Sequence, residues 1–251
     1  MNRIENYAEV KASIINWIKD YADKHKINAL VVGVSGGIDS AVVSTLCAET
    51  TLKTYVLSMP LLSNPDNDKL SNDHAQHLES KYQNVYRVRV DLSNTYMSLM
   101  QSIESWTNGA FLENELANAN TKSRLRMVTL YQIAGSAGGI VVGTGNKVED
   151  YGVGFYTKYG DGGVDIAPIA DLYKTEVWEL GKHLGIDQRI IDAPPTDGLW
   201  NDSRTDEQQI GATYEDLEYA MEHGTGPAVR ILHELNYKNK HKMNPIPTFK
   251  L

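Results

Sequence analysis

The run Gly33-Val34-Ser35-Gly36-Gly37-Ile38-Asp39-Ser40 places a glycine pair and two hydroxyls beside a carboxylate. It leaves an apolar stretch, Ala29-Leu30-Val31-Val32, that reads as a buried strand, and it leads into a segment, residues 41–49, that reads as a helix. The first turn of a helix leaves backbone N–H groups unpaired and carries about half a positive charge. Glycines let backbone approach a ligand with no Cβ in the way. Together these features hold phosphate. Ser-Gly-Gly alone also suits a tight strand-to-helix turn with Ser35 as a helix cap; the full Ser-Gly-Gly-Ile-Asp-Ser string in this position reads as a nucleotide loop. No Gly-Lys-Ser/Thr follows, so the loop is not of the Walker form. Asp39, an anion beside a phosphate site, makes sense when a divalent cation sits between them.

A second glycine-bearing turn, Gly143-Thr144-Gly145-Asn146-Lys147-Val148-Glu149, leaves another apolar stretch. Thr144 is of the type that hydrogen-bonds a nucleotide. Magnesium takes one or two carboxylates, with phosphate oxygens and waters completing its shell. Asp39 and Glu149 suffice for that if the fold joins them; alone, Glu149 reads as a solvated helix residue. The stretch from Phe155 to Asp165 mixes aromatics, Lys158, acids and three glycines. That density suits a small-molecule pocket better than a structural loop. Lys174 stands near a helix start, where the dipole disfavours a cation. A bound phosphate resolves the conflict, and so does a lysine stem long enough to reach solvent. Arg124 and Arg126 are two apart on a helix, roughly 200° around its axis, so they cannot both face one pocket. His241-Lys242, read alone, is an exposed polar pair near Pro245 and Pro247. His74 and His77 lie on a polar helix without an HExxH pattern and read as solvent-facing.

The elements that must position these groups alternate. An opening helix runs through Ile4, Ala8, Ile14, Ile15, Ile18 and Ala22. Strands are expected at residues 29–34, 54–59, 85–90 and 139–143, and helices at 38–49, 69–82, 93–106, 121–137 and 174–184. Strands alternating with helices imply a mainly parallel sheet with helices on both faces. Ligands of such sheets lie beyond the carboxyl ends of the strands, where both glycine turns fall. Residues 63–68 and 193–203 read as loops that seal the pocket. Thr205 and Thr213 read as helix starts.

These residues, with Lys122-Ser123-Arg124-Leu125-Arg126-Met127 and Asp171-Leu172-Tyr173-Lys174, closely resemble ammonia-dependent NAD synthetases, in the ATP pyrophosphatase superfamily. The resemblance runs from about Val31 to about Met221, with His241-Lys242 matching again. It implies an α/β fold of the adenine nucleotide alpha hydrolase kind: a Rossmann-like, doubly wound parallel sheet of about five strands, in one domain over residues 1–251 without an amidase domain. It implies a ligase joining ammonia to deamido-NAD, with ATP split to AMP and pyrophosphate. By that resemblance Gly33, Val34, Ser35, Gly36, Gly37, Ile38, Asp39 and Ser40 hold ATP, together with Thr144, Lys174 and Thr196. Asp39 and Glu149 hold Mg2+. Arg124, Lys158, Asp165, His241 and Lys242 contact deamido-NAD, at the interface of a homodimer. Ser35, Asp39 and Lys174 carry the catalytic roles. Ser123 stands where many relatives have alanine.

Bulk properties narrow the class further. The 251 residues carry a net charge of −8, which disfavours a nucleic-acid partner such as a tRNA substrate. No stretch is long and apolar enough for a membrane span, and the N-terminal residues lack a signal-peptide pattern. A single cysteine, Cys47, fits a reducing cytoplasm and reads as a core residue. The main rivals are a tRNA-thiolating relative, which wants a basic surface and reactive cysteines, and a non-catalytic nucleotide sensor, which has no need of Glu149, Lys158 and Lys174 together.

Overall fold

The computed structural model describes residues 3–62, 65–196, 198–200 and 204–250. Four strands form one sheet: β1 (Ala29–Val34), β2 (Lys53–Ser58), β3 (Val85–Arg89) and β4 (Gly139–Val141). Their order is β3-β2-β1-β4, and every pairing is parallel. The order in which strands are added therefore reverses between β1 and β4, which opens a crevice beyond their carboxyl ends. Both glycine turns leave the sheet there.

The helices are α1 (Tyr7–His25), α2 (Ile38–Glu49), α3 (Pro65–Lys81), α4 (Ser93–Thr107), α5 (Glu115–Ala137), α6 (Lys174–Leu184), α7 (Gln188–Ile191), α8 (Asp206–Ile210), α9 (Tyr214–His223) and α10 (Val229–Met243). Alternate residues of β1 serve opposite faces, as the pleat requires. Leu30 and Val32 join Val42, Leu46, Val177 and Leu180 in the core under α2 and α6. Val31 joins Leu57, Ala134 and Val141 in the core under α5. Burial on both faces explains why β1 is a continuous apolar run. A third cluster, built around Val148, Val153, Tyr214, Leu217 and Leu232, packs the C-terminal helices against a π-helical turn at Val148–Val153.

Among the described residues the sheet has four strands rather than about five. The chain that returns beside β4 pairs only once, at Val142 and Ile166. The Asp165 carboxylate takes the Val141 N–H at 2.7 Å, where a strand would use a carbonyl. Pro168 follows two residues after Ile166 and has no N–H to donate. α3 starts at Pro65, inside the expected 63–68 loop, because a proline at the first turn followed by Asp66 and Asp68 suits a helix N-terminus. α5 starts at Glu115, six residues before the expected 121, with Asn114 as its cap. Of the two expected sealing loops, Ser63, Asn64, Asp197 and residues 201–203 lie outside the described residues.

Cys47 is fully buried, and burial pushes its thiol up to about 12. His74 is buried rather than solvent-facing: it turns onto α2, where its Nε2 meets Ser44 Oγ at 2.9 Å. Burial, with His77 nearby, lowers its pKa from 6.5 to about 4. The folded value lies below the unfolded one, so on acidification the unfolded chain takes the proton first. Stability is fully present above pH 6.5 and is lost between there and about pH 4. The loss amounts to about 3 kcal/mol. Denaturant unfolding of His74→Gln and the parent from pH 7 to pH 4 is expected to show the parent's advantage shrinking by that amount; parallel curves would exclude it.

Candidate active site

The crevice is a cleft of about 280 Å³ lined by the first glycine loop, the second glycine turn, Ser58-Met59-Pro60 after β2, and Lys174. Gly36 has φ +89°, and a Cβ there would stand 2.7 Å from the Asn67 carbonyl oxygen, so only glycine fits. The serines shape the loop. Ser35 Oγ accepts from Gly37 N at 3.2 Å, and Ser40 Oγ accepts from Ser35 N at 3.1 Å and donates to the Gly37 carbonyl at 3.0 Å. Gly37, not Ser35, caps α2, and no side chain closes that terminus. The first N–H groups of α2 are thereby left to a ligand.

Asp39 and Glu149 converge on one point. Lys174 Nζ lies 2.6 Å from Asp39 Oδ2 and 3.0 Å from Glu149 Oε1. Lys174 opens α6 with its side chain 3% exposed; the two carboxylates are 17% and 16% exposed. Burial alone would lower the Lys174 pKa, but Asp39 and Glu149 outweigh it and hold the ammonium charged. Burial also pushes Glu149 upward, yet Lys174, Tyr214 and Asn146 bring it below its ordinary value. Asp39, also opposed by Lys174 but crowded by Glu149, is left raised by burial. Asp150 lines the same cleft and is pushed up to about 8 by burial and by Glu149, Asp161 and Asp39. Its carboxyl fills the space that a Cβ on Gly145 would need, 2.2 Å away.

Two residues that set this geometry had no functional reading in the sequence. Asn146, fully buried, accepts from Val148 N and Glu149 N at 3.1 Å through one oxygen. That fixes the amide so that its nitrogen donates to Asp39 Oδ1 at 3.1 Å. Tyr214, fully buried on α9, donates to Glu149 Oε1 at 2.6 Å, and its ring lies 4.9 Å from Lys174 Nζ. The Thr213 cap was a visible signal for α9 but said nothing of where that helix docks.

Thr144 and Thr196 line the cleft. Thr196 Oγ1 donates to the Arg204 carbonyl at 3.3 Å and accepts from Gly198 N at 3.2 Å, shaping its own loop. Arg126, not Arg124, faces the cleft, with its Nε donating to the Met59 carbonyl at 3.2 Å. Arg124 donates to the Lys158 carbonyl at 3.3 Å, and Lys158 Nζ to the His241 carbonyl at 3.2 Å. Lys242 donates to the carbonyls of Gly154 and Tyr156. Asp165 accepts from Tyr131 OH at 3.1 Å. These five expected dinucleotide contacts therefore brace the wall beside the cleft and are not among its lining residues. Ser123 bonds Asp161, whose Oδ1 it reaches at 2.7 Å and whose N–H it accepts at 2.9 Å. An alanine there would remove both bonds and leave Asp161 Oδ1 with the Thr157 N–H at 2.9 Å.

The residues fit a small hard cation. Among the described residues no set of three or more His, Cys, Asp or Glu converges to hold a metal. Two carboxylates facing an open cleft match instead an ion that takes its remaining ligands from phosphate and water.

Such a fold and cleft define a nucleotide-binding α/β enzyme that works on a polyphosphate. A sequence profile of the NAD synthase family matches residues 10–246. An NH3-dependent NAD+ synthetase of Carboxydothermus hydrogenoformans is 39% identical over 240 residues, covering 94% of this chain and 95% of that protein. The NMN synthetase structure from Francisella tularensis superposes with TM-score 0.87 at 30% identity, covering 99% of this chain and all 100% of that one. The NH3-dependent NAD synthetase structure from Campylobacter jejuni gives 0.75 at 25% identity, covering 98% and 100%. The chain belongs to the NAD synthase family.

Asn146→Ala removes a donor to Asp39 and an acceptor from the Glu149 turn, at a cost of about 1–3 kcal/mol to the site. Turnover is expected to fall roughly 10- to 100-fold, with the circular dichroism spectrum unchanged. Steady-state kinetics on Asn146→Ala and Tyr214→Phe check this; parent-like rates in both would deny the two residues a role in holding the carboxylates.

Proposed function

We propose that the chain is an ammonia-dependent ligase that converts deamido-NAD to NAD while splitting ATP into AMP and pyrophosphate. The observation that carries the reading is the meeting of Asp39, Glu149 and Lys174 at the mouth of the glycine loop. The relatives named above, NH3-dependent NAD synthetases, support ammonia as the nitrogen donor and NAD as the product.

The acid's carboxylate attacks the α-phosphorus of ATP, pyrophosphate leaves, and ammonia then displaces AMP from the mixed anhydride. An anion meeting a polyphosphate is the barrier to overcome. The open N–H groups of α2 and the ammonium of Lys174 supply positive charge where it develops. Asp39 and Glu149 would hold Mg2+, which neutralises charge on the phosphates when bound. Ser35 and Ser40 keep the loop in the conformation that presents those N–H groups. No covalent nucleophile is required; positioning does the work.

The molecule is read as one synthetase domain working as a cytoplasmic homodimer. Exposed apolar residues on and between α4 and α5 support the dimer: Trp106 is 90% exposed, Phe111 71%, and Leu116 and Val128 58% each. Arg124, Lys158, Asp165, His241 and Lys242 border that side and would serve a dinucleotide lying across it. No helix of the described residues is long and apolar enough to cross a membrane, and the net charge of −8 does not suit nucleic acid.

The F. tularensis neighbour favours a second reading, in which the acid is the mononucleotide. That structure fits better than the C. jejuni NAD synthetase, at TM-scores of 0.87 and 0.75. AMP release from ATP, assayed with ammonium and either acid, separates the cases. AMP is expected only when acid and ammonium are both present, with deamido-NAD giving the higher kcat/KM. A mononucleotide preference supports the second reading, and AMP release independent of both co-substrates refutes the ligase assignment. Lys158→Ala is expected to weaken use of the acid more than ATP binding, as the two KM values will show.

A further inference from the structure

Two charged groups claim one place in this cleft. The seat between Asp39 Oδ2 and Glu149 Oε1, where a divalent ion would bind, is filled by Lys174 Nζ at 2.6 and 3.0 Å. A metal ion and an ammonium cannot both stand between those two oxygens, since they repel one another. We infer that Lys174 is a plug for the divalent-cation seat, and that the ion enters only when the polyphosphate of ATP draws the ammonium away. The inference rests on the assignment of Asp39 and Glu149 as metal carboxylates.

Three features of the site support it. The charges are unequal: one ammonium faces two carboxylates, so the seat is satisfied by a divalent ion and only half balanced by lysine. The carboxylates are held independently of the lysine. Asn146 donates to the other oxygen of Asp39 at 3.1 Å, and Tyr214 donates to Glu149 at 2.6 Å. The seat therefore keeps its shape when the ammonium leaves. The plug is also able to move. Lys174 is the first residue of α6, its four-carbon stem turns without backbone motion, and it borders the same cleft as the glycine loop. Once moved, its charge lies beside the phosphates, where the reaction needs it. Metal and nucleotide must then assist one another by the same factor.

The test uses nucleotide-free protein and Mn2+, followed by the electron paramagnetic resonance of the free ion and by the melting temperature. Both readouts are independent of turnover. The parent is expected to bind Mn2+ weakly, with no rise in Tm. Lys174→Gln is expected to bind it at least ~10-fold tighter, equivalent to about 1.4 kcal/mol, with a rise in Tm that Asp39→Asn in the same background abolishes. Parent protein that binds Mn2+ as tightly as Lys174→Gln overturns the inference. So does a nucleotide-free parent whose Tm rises with Mn2+ unless Asp39 is changed to Asn, a result that needs no folded lysine variant. Failure of both proteins to bind Mn2+ overturns the metal seat itself, whereas the AMP assay alone decides the ligase reading.

Discussion

The structure is organised around an ammonium ion held between two carboxylates that the chain brings from distant places. Asp39 comes from the first turn of α2, Glu149 from the π-helical turn beyond β4, and Lys174 from the first turn of α6. Such a cluster is costly to bury unless every member is paired and hydrogen-bonded. Asn146 and Tyr214 provide those bonds. The parallel sheet makes the meeting possible, because β1 and β4 are neighbours and both end at the same edge. The fold's central economy is that the strand order needed to pack the core also places the charged groups together.

The same cluster explains the local departures from regular structure. A lysine opening a helix opposes the dipole, but two anions lie within hydrogen-bond reach. The π-turn is wider than an α-turn, and such turns recur at functional sites. Here its neighbours Gly145 and Asn146 let Asp150 lie against the cleft while Glu149 turns toward Lys174. Conflicts between local preference and the adopted structure gather where chemistry is to be done.

Much of this was legible in the residues. The glycine loop, Asp39, Glu149 and Lys174 announce themselves by type, spacing and position at strand ends. The strands were legible because burial on both faces leaves unbroken apolar runs. Asn146 and Tyr214 were not legible as site residues, because their roles depend on which helix docks against which turn, and periodicity is silent on docking. His74 misled for a similar reason: its own helix is polar, and its partner Ser44 lies on another. Arg124 and Arg126 diverge as their spacing requires, but only tertiary structure shows that Arg126 takes the cleft. The missing fifth strand was hidden too, because the returning chain makes a single bridge, at Val142 and Ile166, with the Asp165 carboxylate taking the Val141 N–H beside it.

The final helix closes the account of the π-turn. Asn236 donates to the carbonyls of Tyr151 and Gly152 at 3.2 and 2.8 Å, and Asn239 to that of Val153 at 2.8 Å. Lys242 adds Gly154 and Tyr156. Those from Tyr151 to Gly154 are carbonyls that a helix end leaves without partners of its own. The turn that carries Glu149 is thus tied down by residues 84 to 86 positions further along the chain. A chain whose sheet has formed before α10 docks would still lack a settled carboxylate, so a finished site waits on a contact that the sheet itself does not make.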